Sequence, residues 1–159
     1  GERRVTLLTV PDVPVAVLRH QGPPETLGDS LRRFIAWRRR VGLPPRRSAT
    51  FNILHGDPRT TPPQDFRLDL CAATGRAVAD NDAGVVPGVI PGGRVAVLRH
   101  MGPEHDLGRS VDWLCRDWLT TSGERRRADP PYLQRLALFP DVAETEAVTD
   151  VFLPLVPAP

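Results

Sequence analysis

Short apolar runs closed by Pro or Gly, together with two longer stretches of helical period, predict eight strands and two helices along the chain. Residues 5–10 form a β-rich run ended by Pro11-Asp12. Residues 15–19 form a second, ended by Gly22-Pro23-Pro24, and the two together have the pattern of a hairpin. A helix over about residues 26–41 follows, with Thr26 as its N-cap, Asp29 as the capping-box partner, and Gly42 before Pro44-Pro45 as the stop. Strands at 49–54 and 66–71 then flank a loop rich in turn formers. The same order returns: a strand at 85–90, the turn Pro91-Gly92-Gly93, a strand at 95–99, a helix capped by Asp106 and ended at Ser122-Gly123, and strands at 132–139 and 148–153.

The second set is a copy of the first. Val15-Ala16-Val17-Leu18-Arg19-His20-Gln21-Gly22-Pro23 recurs 80 residues later as Val95-Ala96-Val97-Leu98-Arg99-His100-Met101-Gly102-Pro103. The same offset aligns Pro11 with Pro91, Leu27-Gly28 with Leu107-Gly108, and Ser30 with Ser110. Two copies are too few for a solenoid, so the repeat describes a duplicated ββαββ unit with pseudo-two-fold symmetry. The predicted fold is α+β: one domain over 1–159, with repeats at about 4–74 and 84–156, an antiparallel sheet, two helices on one face and a central groove. A groove between paired halves is a common place for small molecules.

Helical phase sorts core from candidate. Leu27, Leu31, Phe34, Ile35 and Val41 form the expected buried stripe of the first helix, with Trp37 on its margin. In the second helix Leu107, Val111, Leu114, Cys115 and Trp118 are expected in the core, while Trp113 points elsewhere, either covering the sheet edge or walling the groove. On the strands, Phe66, Leu68 and Leu70 share one face and Arg67, Asp69 and Cys71 the other. Asp69 either pairs with an arginine such as Arg67 or Arg135 or faces an organic cation. Tyr132 and Gln134 share a face, and a phenol beside an amide suits the orientation of a ligand.

Composition narrows the function only by exclusion. The 21 basic residues are all Arg and face 19 acidic ones, for a net charge of +2, so no nucleic-acid footprint stands out. The runs Arg38-Arg39-Arg40, Arg46-Arg47 and Arg125-Arg126-Arg127 read as solvated helix ends and loops. Cys71 and Cys115 lack metal spacing and are expected as reduced, mostly buried thiols. His20 and His100 repeat symmetrically with no carboxylate or thiol at ligand spacing, so neither a metal nor a cofactor is expected. Nucleophile-elbow, P-loop, dinucleotide and helix-turn-helix patterns do not match, and no catalytic residue is assigned. No apolar run reaches the ~18 residues of a membrane span, and a cytoplasmic protein is expected.

The paired Val-Ala-Val-Leu-Arg-His-x-Gly-Pro segments, Ile90-Pro91-Gly92-Gly93-Arg94, residues 66–72 and the ending at 149–155 resemble the GyrI-like small-molecule-binding domain. The resemblance is to the version behind the helix-turn-helix half of AraC-type transcription regulators. It implies a groove that accepts organic effectors, often cationic and aromatic, and contact with DNA only through a separate helix-turn-helix domain. Many relatives carry a groove glutamate where this chain has Gln134, so the chain departs from the cation-binding pattern, and a neutral ligand or use of Asp69 gains ground. The candidate ligand residues are Trp37, Phe51, Asp69, Trp113, Tyr132 and Gln134. Hydrolysis of strained electrophiles, which some relatives perform with a Glu and a Tyr, sequestration of a toxin and contact with gyrase are the alternatives, and a homodimer stays open.

Overall fold

The computed structural model describes residues 3–158. It is mixed α+β, with eight antiparallel strands and two helices in the predicted ββαββ-ββαββ order. The elements are β1 (Val5–Val10), β2 (Val13–Gln21), α1 (Leu27–Val41), β3 (Thr50–Leu54), β4 (Arg67–Ala73), β5 (Val86–Ile90), β6 (Gly93–Met101), α2 (residues 107–122), β7 (Tyr132–Ala137) and β8 (Val148–Pro154). Among the described residues no helix is long and apolar enough to cross a membrane.

The two compact units differ from the two sequence copies by one strand each. Residues 12–90 form one unit, with strand order β3-β4-β2-β5; the chain before Asp12 joins the chain after Ile90 in the other, with order β1-β6-β8-β7. The hairpins expected between β1 and β2 and between β5 and β6 therefore do not exist: β1 pairs with β6, and β5 with β2. The two-residue link Pro11-Asp12 explains the first case. A two-residue hairpin needs positive φ in its turn, and neither residue adopts it, so the chain runs on from β1 into β2 instead of folding back.

In the 12–90 unit, α1 lies on one sheet face, where Ala16, Leu18, Leu70 and Ala72 meet Phe34 and Trp37. The helix is rotated from the expected stripe. Phe34, Trp37, Ser30 and Arg38 are buried, while Leu31, Ile35 and Val41 are 45%, 43% and 37% exposed. A polar anchor sets this rotation. His20 on β2 binds Ser30 Oγ through Nδ1 at 2.8 Å and the Pro23 carbonyl through Nε2 at 3.1 Å, pinning Ser30 against the sheet. Arg38, expected in solvent, is buried and gives its donors to the Leu43 and Ser48 carbonyls and to Thr50 Oγ1. Neither expected cap forms. Thr26 Oγ1 donates back to the Pro23 carbonyl, Asp29 pairs with Arg32, and Asp106 makes no cap bond, because a 3-10 turn precedes each helix and already directs its first residues.

The second unit repeats the anchor and changes the helix. His100 binds Ser110 Oγ at 2.8 Å and the Pro103 carbonyl at 3.3 Å, so the symmetric histidines tie strand to helix in both copies. Within α2, Trp113–Trp118 is π-helical, with a turn that holds one residue more than an α-turn. The left-handed glycines that end the helices are Gly42 and Gly123, so the repeat offset has grown from 80 at Ser30 and Ser110 to 81. It stays there: Gly22 N donates to the Phe66 carbonyl at 2.9 Å, and Gly102 N to the Ala147 carbonyl at 2.9 Å. Trp118, expected in the core, is half-buried, because the inserted residue shifts everything after Trp113 out of the 100° phase.

Candidate functional site

Register settles which candidates share a face. In the 12–90 unit Arg19 lies opposite Asp69, Phe51 opposite Cys71, and Ile53 opposite Asp69, so Phe51, Ile53, Asp69, Cys71 and Arg19 occupy the sheet face away from α1. Trp37 is on the other side, stacked on Phe34 at 5.9 Å and 8°. It also lines a recess of about 590 Å³ beside the end of α1, with Val41, Leu43, Arg76 and Val78. Of the three candidates in this unit, the structure thus brings Phe51 and Asp69 together and leaves Trp37 apart.

Asp69 is buried and fully engaged. Arg67, two residues back on the same strand, donates to it through Nε at 3.2 Å and a terminal nitrogen at 3.1 Å. His55 Nε2 lies 2.8 Å from Asp69 Oδ2, the oxygen that also accepts from the Arg67 terminal nitrogen. The pairing with Arg67 was among the sequence expectations. His55 was not, and the signal that could have found it is its place two residues past Ile53, on the same face of the extended chain. Arg135, the other expected partner, pairs instead with Glu104 at 2.7 Å. Burial, with the Asp69 carboxylate adding to it, pushes the Cys71 thiol up, so it remains an inert thiol.

In the other unit Tyr132 lies opposite Phe152 and Gln134 opposite Asp150, again on the face away from the helix. Tyr132 and Phe152 stack at 4.6 Å and 6°. Burial pushes the Tyr132 phenol up to about 12, partly opposed by Arg127, so the hydroxyl keeps its proton at neutral pH. Gln134 is half-buried beside Asp150, which takes the Arg99 guanidinium at 2.9 and 3.2 Å. Beyond Gln134 the register slips between Arg135 and Ala137, and this bulge leaves Leu136 exposed. Trp113 sits on the helix side, with the Arg3 guanidinium 5.2 Å from its ring centroid. Tyr132 and Gln134 are thus brought together, and Trp113 is not.

Shifted by 81 residues, these two faces correspond: Phe51 with Tyr132, Ile53 with Gln134, Asp69 with Asp150 and Cys71 with Phe152. Asp150 was missed as a site residue because a gapless offset of 80 sets Asp69 against Thr149.

Comparison with known proteins gives the family. A family model described as a GyrI-like small molecule binding domain matches residues 4–156. The chain is 40% identical over 152 residues to the probable transcriptional regulator YgiV of Escherichia coli K12, covering 95% of each. It matches the EcmrR C-terminal domain with a TM-score of 0.78 at 17% identity, covering 98% of this chain and 99% of that one, and spans 57% of the EcmrR chain in its complex with DNA. A hydrolase from Listeria innocua has a TM-score of 0.64 at 14% identity, covering 97% and 92%. The fold, the repeat and the match over nearly its whole length place this chain in the GyrI-like small-molecule-binding family.

Proposed function

We propose that the chain is the effector-binding domain of an AraC-type transcription regulator and takes an aromatic organic molecule on the sheet faces away from the helices. The observation that carries this reading is the Tyr132–Phe152 stack, at 4.6 Å, with the Gln134 amide on the same face. Rings supply contact area at small entropic cost, and the amide and the protonated phenol orient polar groups. The matching face of the 12–90 unit carries Phe51 and Asp69 as separate candidates. Trp37 packs on its sheet from the helix side, and Trp113 meets the Arg3 guanidinium. DNA would be contacted by a separate helix-turn-helix domain, and the similarity to YgiV and to the EcmrR C-terminal domain supports a regulator.

Binding is favoured over hydrolysis. Gln134 offers an amide where an acid/base mechanism needs a carboxylate, and the phenol of Tyr132 stays protonated. The test is a thermal-shift screen of small aromatic molecules. A ligand at 100 times its Kd stabilises the fold by about 2.7 kcal/mol, which for a chain of this length raises Tm by about 5–10 °C. Gln134→Leu should abolish that shift for at least one hit while leaving the unliganded Tm within a few degrees. If every hit survives Gln134→Leu and Phe51→Ala unchanged, the site is elsewhere.

A further inference from the structure

The two matching faces differ in charge. In the β1-β6-β8-β7 unit, Arg99 and Asp150 stand opposite each other and form a two-bond ion pair, one cation to one anion. In the 12–90 unit, Arg19 and Asp69 stand opposite in the same way, yet Asp69 is taken by Arg67 and His55. The positions corresponding to Arg67 and His55 in the other unit are Val148 and Leu136, which cannot do this. Arg19 therefore loses the carboxylate that its counterpart keeps. Among the described residues its guanidinium has no hydrogen-bond or ion-pair partner, and the residue is exposed.

The geometry points to Arg19 as the anchor for an organic anion, an aromatic carboxylate whose ring lies along the half-buried Val17 and Ile53 of the same sheet face, over the buried Cys71 and Phe51. A guanidinium presents a planar fork that matches a carboxylate with two parallel hydrogen bonds. Two arginines against one aspartate leave a surplus positive charge even with His55 neutral, which repels organic cations and attracts anions. Asp69, the carboxylate that could otherwise hold a cation, has its oxygens occupied. This inference rests on the effector-binding reading above and fixes the charge of the ligand class.

One ring system with three charges tests it: 2-naphthoate, 2-naphthamide and (2-naphthyl)trimethylammonium, titrated calorimetrically into wild type, Arg19→Gln and Arg99→Gln. The naphthoate should bind wild type roughly 10- to 100-fold more tightly than the amide, the range set by hydrogen bonds to a charged group. Arg19→Gln should erase that preference without changing Tm, and Arg99→Gln should retain it. Equal binding of naphthoate and amide, tighter binding of the ammonium, or a preference that survives Arg19→Gln overturns the assignment. If the amide or the ammonium binds and naphthoate does not, only the anion assignment falls. If none of the three binds, the anion assignment falls, and the effector-binding reading is decided separately by the thermal-shift screen.

Discussion

Helices α1 and α2 start alike and end differently. Each begins at a Leu-Gly pair after a 3-10 turn, places a serine against a strand histidine at 2.8 Å, and stops at a left-handed glycine. Between serine and glycine, α2 holds one more residue, absorbed in its π-turn. Corresponding positions then diverge in chemistry. Trp37 is buried and stacked on Phe34, whereas Trp118 is half-buried; buried Arg38 answers to Leu119; and Leu43, packed on the core, answers to Glu124. A fold can thus tolerate an insertion inside a helix when both helix ends are tied to the sheet, and the cost is a different packing of the last turns.

The sharpest test of this difference is a pair of tryptophan truncations. Trp37→Ala should cost about 3–5 kcal/mol, as large-to-small changes of buried aromatics do, and Trp118→Ala about half of that, both read from urea denaturation. Equal losses would show that the π-turn restores the packing of α1. Next in size is Arg38→Leu, which copies the residue at the corresponding position of α2. Burial lowers the Arg38 guanidinium to about 10, so it is charged at neutral pH, and its donors satisfy two carbonyls and a hydroxyl. Losing them should cost about 2–3 kcal/mol; a neutral substitution would mean that water replaces them. The smallest effect concerns Glu124, whose carboxyl is held below its usual range chiefly by hydrogen bonds from Arg94. A depressed folded-state pKa contributes stability above the unfolded value of about 4.3, and that contribution is lost as pH falls through the folded value. The stability difference between wild type and Arg94→Gln should therefore be constant from pH 6 to 8 and close below about pH 4.

Much of this was legible from one chain. The repeat and the punctuation by Pro and Gly carry the order of elements, and the two-residue period alone puts Tyr132 with Gln134 and Asp69 with Arg67. What was hidden depended on contacts between distant residues. Hydropathy cannot see that Ser30 is held inward by His20, so it rotated α1 toward Leu31 and Ile35. A gapless alignment cannot show an inserted residue, so it hid the correspondence of Asp69 with Asp150. Strand exchange was equally invisible, because β1 reads as a hairpin partner of β2 to anyone counting only local turn formers. His55 escaped because it stands just past its strand, where alternation is usually no longer counted.

The exchange of β1 and β5 has a practical consequence for anyone dissecting the molecule. A fragment of residues 12–90 keeps the whole β3-β4-β2-β5 sheet with α1, Arg19 and Asp69, whereas a fragment cut between residues 74 and 84, where the first copy gives way to the second, discards β5 and retains β1 with nothing to pair to. Truncations and circular permutations are best begun at Asp12 and ended at Ile90. The evolutionary joint, between residues 74 and 84, and the mechanical joint, at residue 90, do not coincide.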